Sequence, residues 1–189
     1  MTVEVQDGVV GEHSLLPDLA QAAEPILPRI AALARAARTA GVPVVHCTAD
    51  ARSDELGANR NARLFGAMRK RGVPVDSRGR VHRAVGADDG DLVFGRLHGV
   101  SPMTGTSLDS VLRNSGVSTI VATGVSVNVA VLGFAFEAVN HGYQLVIPRD
   151  AVAGVDEAYV DALFDRTLSL LATVTTTDAI LQRWNQSTA

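Results

Sequence analysis

The stretch Ser118–Ile147 reads STIVATGVSVNVAVLGFAFEAVNHGYQLVI and contains three segments of different periodicity. Ser118–Thr123 is a short apolar run typical of a buried strand. Val127–His141 carries apolar residues at helical spacing and stops before Gly142, a residue type that commonly ends helices. Gln144–Ile147 is a second apolar run. A strand, a helix and a strand joined by short turns predict a parallel β-α-β unit with a right-handed crossover.

The same alternation continues on both sides of this unit. The other predicted strands are Thr2–Gln6, Val44–Cys47, Leu92–Phe94 and Thr173–Thr175. The other predicted helices are Pro25–Thr39, Asn59–Arg71, one that begins after a cap at Thr106 or Ser107 and ends at Gly116, one capped by Asp156 that runs to about Ala172, and a short last one from Asp178. Together they predict an α/β fold of three layers (α-β-α), with a Rossmann-like parallel sheet of about six strands and helices on both faces.

Length and composition set limits on the class of protein. The chain has 189 residues, which favours a single domain over 1–189. A net charge of −3 with interspersed signs gives no reason to expect nucleic acid as a partner. No apolar run reaches membrane-spanning length, and the single cysteine, Cys47, allows no internal disulfide. We therefore expect a cytoplasmic protein whose partner is a small molecule. The polar residues 73–91 predict a surface excursion, either a hairpin or a lid.

Several short motifs occur in one order along nearly the whole chain. They are V-x-Q after the first strand, GVPVVH, and, from Thr106 to Ala153, GVS, Ala-x-Glu-Ala, GY and RDA. As a set they resemble the isochorismatase-like hydrolase superfamily, which includes nicotinamidases, carbamoylsarcosine amidohydrolase and isochorismatase. The resemblance implies a site built at the strand ends from an acidic residue after the first strand, a basic residue after a middle strand, and a nucleophilic cysteine at the start of the helix after the GV turn.

The chain departs from that pattern at all three positions. Glu4 stands where the family has Asp, and Ala130 stands where it has the nucleophilic Cys. Spacing back from Ser101 places Leu97 at the family's Lys position, and a shift of one residue places Arg96 there; we favour Arg96 because it keeps a cation. A methyl group cannot attack a carbonyl, so the cysteine mechanism is unavailable at Ala130.

The resemblance still permits chemistry without a cysteine. Isochorismatases proper also lack a cysteine at this position and cleave an enol ether by protonating its carbon. We therefore expect a hydrolase in which Glu4 is the general acid or base and Arg96 holds an anionic substrate. The alternative is a catalytically silent scaffold that binds a small metabolite or a partner protein. A third, weaker hypothesis is amide hydrolysis through Cys47.

The remaining candidate residues follow from the same strand ends. Gln6 is expected to orient the loop after the first strand, and His98 to face the same side as Arg96. The cis peptide that the family often has would fall at Val125–Ser126 and direct the amides of Val129 and Ala130 at the substrate, with Asn128 beside them. Further candidates are Asn59, Asn61 and Arg63, which either cap a helix or bind an acidic substrate.

The sequence predicts neither a metal nor another cofactor. The residues after the second strand, Ala49–Arg52, do not provide the closely spaced Asp and His ligands of the zinc-binding members. Because family members commonly form dimers or larger assemblies, we also expect a homo-oligomer. Trp184, on the last helix, is the candidate for that subunit contact.

Overall fold

The computed structural model describes residues 1–69 and 79–187. Its strands are β1 (Thr2–Val3), β2 (Val45–Ala49), β3 (Leu92–Arg96), β4 (Thr119–Val121), β5 (Thr123–Gly124), β6 (Gln144–Pro148) and β7 (Thr173–Thr175). All of their pairings are parallel, in the orders β3-β2-β1-β5 and β4-β6-β7. Only Ala122 separates β4 from β5. Its N–H donates to Val146 O at 2.9 Å, while the N–H of Thr123 donates to Met1 O at 3.0 Å. One interrupted strand therefore joins both halves, which matches the predicted sheet of about six strands.

The helices of the described residues cover both faces of this sheet. They are α1 (Asp7–Val10), α2 (Pro17–Ala23), α3 (Leu27–Thr39), α4 (Arg63–Arg69), α5 (Leu108–Asn114), α6 (Leu132–Asn140), α7 (Glu157–Leu163), α8 (Ser169–Leu171) and α9 (Thr177–Ser187). A 3₁₀ turn over Glu24–Ile26 precedes α3, and π-helical turns over Val127–Val131 and Phe164–Leu168 precede α6 and α8. Asp156 caps α7 as predicted, since its carboxylate accepts the N–H of Tyr159 at 3.1 Å.

The strands divide the core because successive side chains point to opposite faces. On one face Ile120 and Leu145 pack with Phe134 of α6 in a large buried cluster. On the other face Val121 and Val146 pack against a second cluster, which contains the apolar side of α3 and Ile180 of α9. This arrangement confirms the three-layer α-β-α class. No helix in the described ranges is long and apolar enough to cross a membrane.

The structure corrects several boundaries. The first strand ends at Val3, not Gln6, because Glu4 adopts a left-handed backbone with φ 54°. The sequence did not predict α1 or α2, and the predicted helix start at Pro25 lies in the 3₁₀ turn before α3. The fourth helix begins at Arg63 instead of Asn59, and its predicted end at Lys70 and Arg71 lies outside the described residues.

The predicted surface excursion over 73–91 is only partly tested, because 70–78 lie outside the described residues. The part from 79 onward is tied to the sheet. Val81 forms an antiparallel bridge with Gln6, and the N–H of His82 donates to Val5 O at 3.0 Å. Val81 and Val85 are buried. The other residues from 79 to 91 are partly or fully exposed, as expected of a surface excursion, and the choice between a hairpin and a lid stays a prediction.

A buried polar cluster, here called the His46 network, lies between β1, β2, α3 and the start of β3. The His46 ring bonds Thr2 Oγ1 through Nδ1 at 2.8 Å and Asp91 Oδ2 through Nε2 at 3.0 Å. Arg38 Nε donates to Asp91 Oδ1 at 3.0 Å. Burial lowers the pKa of His46 even though Asp91 opposes that shift. Burial by itself would raise the pKa of Asp91, but the hydrogen bonds from Arg38, the Asp88 N–H and His46 lower it to about 2.

Candidate active site

Glu4 lies at the carboxyl end of β1, in the centre of the sheet. Its N–H donates to Cys47 O at 2.8 Å, which holds its left-handed backbone against β2. Its side chain is 15% exposed and bonds the guanidinium of Arg96. A non-glycine residue in this conformation costs about 1–3 kcal/mol, and such residues cluster at functional sites.

Arg96 is the last residue of β3 and its side chain is 3% exposed. Nη2 donates to Glu4 Oε1 and to Val100 O, the latter at 3.1 Å, and Nε donates to Gly99 O at 3.3 Å. Nη1 is buried and has no hydrogen-bond partner among the described residues. Leu97, the alternative for the family's Lys position, is 43% exposed. Arg96 is therefore the residue that meets the acidic group.

The environment of this ion pair shifts the titration of the acid. Burial raises the pKa of Glu4 above its ordinary value of 4.5, and the charge and hydrogen bond of Arg96 oppose that shift only in part. A carboxyl group that keeps its proton more readily than usual is suited to general acid catalysis.

The loop after Arg96 is held in place by Glu137 of α6. The hydroxyl groups of Ser101 and Thr104 both donate to its carboxylate. This loop supplies the two carbonyls that accept from Arg96, so Glu137 supports the position of the guanidinium. The Ala-x-Glu-Ala motif in the sequence is explained by this anchoring.

Ala130 does not face an open site. It lies in the π-helical turn before α6, is 1% exposed, and belongs to the larger core cluster. The peptide bond Val125–Ser126 is cis, as the resemblance implied. The N–H of Val129, however, donates to Ser126 O at 3.2 Å. The expectation that this amide polarises a substrate is therefore not met in this structure.

Gly124 lets this turn come close to β1. Its φ is 114°, and a Cβ at this position would lie 2.2 Å from Val3 O. The N–H of Val125 donates to the same carbonyl at 2.9 Å. Only glycine fits this backbone and this distance, so Gly124 fixes β5 and the cis turn beside Glu4.

A cavity of about 160 Å³ opens next to Arg96. Its described lining residues are Gln6, Gly8, Val9, Leu15, Ala49, Asp50, Ala51, Glu55, Ala58, Asn59, Phe65, Arg96, Leu97, His98 and Gly99. Four of the predicted site residues, Gln6, Asn59, Arg96 and His98, thus meet at one cavity. The others do not line it: Glu4, Asn61, Arg63, Val125, Ser126, Asn128, Val129 and Ala130. Glu4 reaches the cavity only through Arg96.

Gln6 and Asn59, two of the predicted polar site residues, form hydrogen bonds within the protein. The side-chain amide of Gln6 donates from Nε2 to Ala49 O at 2.8 Å and accepts the Ala49 N–H on Oε1 at 2.6 Å, which ties Gln6 to the end of β2. Its predicted role in orienting the loop after the first strand stays a prediction. Asn59 Oδ1 accepts the N–H of Asn61 at 3.2 Å. Arg63 is exposed at the start of α4.

Sequence reasoning missed the apolar wall of the cavity. Val9 of α1, Leu15 and Phe65 of α4 supply much of it. Val9 lies in α1 and Leu15 lies between α1 and α2, two helices that the sequence did not predict. In the segment that contains Phe65, only polar residues were predicted as site candidates. Pro17, at the first turn of α2 and followed by Asp18, was the available signal.

Three other expectations concern Cys47, a metal and Trp184. Burial raises the pKa of the Cys47 thiol to about 12, which leaves it without nucleophilic character. In residues 1–69 and 79–187 no group of three or more His, Cys, Asp or Glu side chains could hold a metal ion. Trp184 is partly buried against the core cluster that contains α3. Its predicted place in a subunit contact stays a prediction.

Comparison with known proteins gives a consistent result. The isochorismatase domain family matches residues 1–179. N-carbamoylsarcosine amidase from Arthrobacter sp. is 26% identical over 132 residues, which cover 68% of this chain and 50% of that protein. An uncharacterized isochorismatase family protein from Bacillus subtilis strain 168 is 32% identical over 100 residues, 52% of each chain. The chain spans about half the length of the curated relatives it matches.

Solved structures share the fold over almost the whole chain. A cysteine hydrolase from Pseudomonas syringae pv. phaseolicola 1448A superposes with a TM-score of 0.86 at 23% identity, covering 98% of this chain and 92% of its own. N-carbamoylsarcosine amidase from Thermoplasma acidophilum gives 0.70 at 24% identity, with 94% of each chain covered. Likeness at this identity concerns the fold alone, but the family match spans nearly all residues: the chain belongs to the isochorismatase family of hydrolases.

Proposed function

We propose that this chain is a hydrolase that works without a cysteine nucleophile on a small anionic metabolite. The observation that carries the proposal is the Glu4–Arg96 pair, which is buried at the carboxyl ends of the central strands beside a cavity. Arg96 holds the anionic end of the substrate, and Glu4 is the general acid or base. Ligands of open α/β sheets bind at this edge.

Enol-ether hydrolysis is the reaction that best suits these groups. The carboxylic acid of Glu4 protonates the enol carbon, water adds to the resulting oxocarbenium carbon, and the hemiketal collapses to a ketone and an alcohol. Burial raises the pKa of Glu4, which is the direction that suits a general acid. Arg96 stays charged throughout and acts as an anchor, not as a proton carrier.

Amide hydrolysis, the activity named for the amidase relatives, is less well supported for this chain. That chemistry in the family depends on a thiolate. Here the nucleophile position is Ala130, and the pKa of Cys47 is raised to about 12 by burial. We therefore do not carry the relatives' activity over to this protein.

A silent binding scaffold is the second candidate. Three observations favour it: Ala130 is enclosed in the core, the Val129 amide is engaged within its own turn, and Glu4 does not line the cavity. Such a protein would hold a small anion at Arg96 without turning it over. A cytoplasmic location and a homo-oligomeric state remain expectations for both candidates.

The deciding experiment measures pyruvate release from isochorismate by the wild-type protein and by Glu4→Gln. We expect Glu4→Gln to lose about 10²–10⁴-fold of the rate, the contribution typical of a positioned acid. Glu157→Gln is the matched control: it makes the same chemical change at an exposed carboxylate in the first turn of α7, which does not line the cavity, and it should keep the rate.

The fold of each variant must be checked by near-UV circular dichroism, because Glu4→Gln leaves the buried guanidinium without its carboxylate. Absence of pyruvate release by well-folded wild-type protein would rule out the enol-ether reaction with this substrate. Binding of a small carboxylate without turnover would then make the silent scaffold the preferred function.

A further inference from the structure

The guanidinium of Arg96 has one side in use and one side without a partner. Nη2 and Nε bond Glu4 and the loop carbonyls, whereas Nη1 has no hydrogen-bond partner among the described residues. The side chain is 3% exposed and lines the cavity. Buried donors without partners are rare, because each loses its bonds to water without replacement. Nη1 is therefore placed to take an acceptor that enters from the cavity.

Two carboxylates on one buried guanidinium cannot both stay ionised at low cost. With Glu4 on Nη2 and a ligand carboxylate on Nη1, two negative charges would share one positive charge in a site with little water. Nearby like charges raise the pKa of one partner, as in paired catalytic carboxylates. The free protein balances Arg96 with Glu4, but the complex would carry one excess negative charge.

We infer that binding of a carboxylate ligand at Arg96 draws one proton from solution onto Glu4. This inference rests on the proposed function in one respect, namely that the cavity takes an anion. It adds how the catalytic acid acquires its proton: binding of the substrate's carboxylate makes Glu4 take a proton from solution before the reaction starts. The free protein would then hold an ion pair and only the complex a ready acid.

The shape of the cavity indicates which carboxylates to test. Its apolar wall is formed by Val9, Leu15, Ala58, Phe65 and Leu97. Its volume is about 160 Å³, and an apolar cavity of about 150 Å³ admits benzene. One ring with a carboxylate is therefore a suitable probe, and we choose benzoate, with benzamide as its neutral counterpart.

Other titratable groups lie close enough to contribute protons. They are Asp50 and Glu55 after β2, His98 after β3, and Cys47 on β2. The Cys47 thiol stays protonated, since its pKa is about 12. Asp50 and Glu55 are exposed to solvent, and Asp50 accepts a hydrogen bond from Thr48 Oγ1 at 3.0 Å. His98 lines the cavity beside Arg96, so it needs its own variant.

The experiment is calorimetric titration of benzoate into the full chain in buffers of different ionisation enthalpy, across pH 5.5–8. The expected result is uptake of about one proton per benzoate at the upper end of this range, with affinity falling about tenfold per pH unit where Glu4 is ionised in the free protein. Benzamide should show no proton uptake.

Glu4→Gln should bind benzoate without proton uptake and with an affinity that does not depend on pH, because its amide imitates the neutral acid. Phe65→Ala should weaken the binding of benzoate but leave the proton uptake per bound benzoate unchanged. His98→Gln should also retain the proton uptake. Absence of benzoate binding, binding without uptake, or uptake lost in His98→Gln instead of Glu4→Gln would each overturn the inference. If Glu4→Gln does not fold, the buffer and pH series on wild type and His98→Gln still decides it.

The two proposals fail in different ways. Pyruvate release from isochorismate without proton uptake on anion binding would leave the hydrolase standing and remove the coupling. Proton uptake without any turnover would support the coupling and favour the silent scaffold.

Discussion

The family resemblance assigns the nucleophilic cysteine to the position of Ala130, and in this chain that position lies in closed surroundings. In a cysteine hydrolase this position must be reachable by a substrate, whereas here its methyl group is 1% exposed and packed in the core cluster. The cavity lies instead on the Arg96 side of the ion pair.

This closure predicts that Ala130→Cys will not restore a thiol enzyme. In a Cys47→Ala background the new thiol should resemble the buried Cys47, whose pKa is about 12, and react with iodoacetamide at least about 100-fold more slowly than in guanidinium chloride. Mass spectrometry of the alkylated protein measures this ratio. Rapid alkylation of the folded variant would mean that the position is open. Amide hydrolysis by the variant that alkylation abolishes would mean the same.

The sequence predicted which residues belong to the site where they lie on a strand, but not where a loop of variable length separates them from a motif. Spacing from Ser101 favoured Leu97, because the loop between them can gain or lose a residue. The structure selects Arg96, the last residue of β3, as the partner of Glu4. The importance of Phe65 could not be read from the sequence, since it depends on how α4 lies against the ends of other strands.

At the scale of elements, the strand–helix alternation gave the sheet and its two helical layers correctly. Its failures have physical causes. Glu4 ends β1 early because its backbone is left-handed, with a φ of 54°, a conformation for which the sequence carries no local signal. Helices α1 and α2 are short and follow closely on one another, so neither has enough turns to show helical periodicity.

The turn between β5 and the π-helical segment carries a prediction about stability. Gly124→Ala should destabilise the protein by about 3 kcal/mol or more, because the new Cβ has both an unfavourable φ and a backbone oxygen at 2.2 Å. Gly142→Ala is the matched control: its φ is 84°, but nothing lies within 4 Å of the added Cβ, so about 1–2 kcal/mol is expected. Urea denaturation followed by circular dichroism gives both values. Equal losses would show that the close approach at Gly124 relaxes without cost.

At the scale of the whole molecule, the His46 network predicts how stability varies with pH. The folded-state pKa of His46 is lowered, so the unfolded chain binds the proton first and stability should fall as pH drops below about 6.5. Asp91 affects stability at a lower pH than His46 does. Its pKa is lowered from 3.8 to about 2, so a contribution of about 1–2 kcal/mol is present above pH 4 and lost towards pH 2.

The contribution of Glu4 to the pH dependence of stability has the opposite sign. Its pKa is raised, so its contribution is full at low pH and is lost as pH rises through the folded value. Because the pKa of His46 is lowered, urea midpoints measured at half-unit steps from pH 4 to 8 should decline on the acid side against the opposing contribution of Glu4, and His46→Gln should flatten the decline between pH 5 and 7. An unchanged acid decline in a folded His46→Gln variant would assign it to other groups.

The His46 network also constrains how this protein can evolve or be engineered. Because His46 bonds both Thr2 and Asp91, replacing Thr2, His46 or Asp91 singly leaves a buried polar atom without its partner, whereas replacing Arg38 leaves Asp91 bonded to His46 and to the Asp88 N–H. Replacing all four with apolar residues of matched volume removes that penalty, so the positions are strongly epistatic. A library that varies one site at a time would score Thr2, His46 and Asp91 as intolerant, whereas a combinatorial library would find sequences that lack the network entirely. Among related sequences, the residues at these positions are then expected to change together, and sequences with only part of the network replaced should be few.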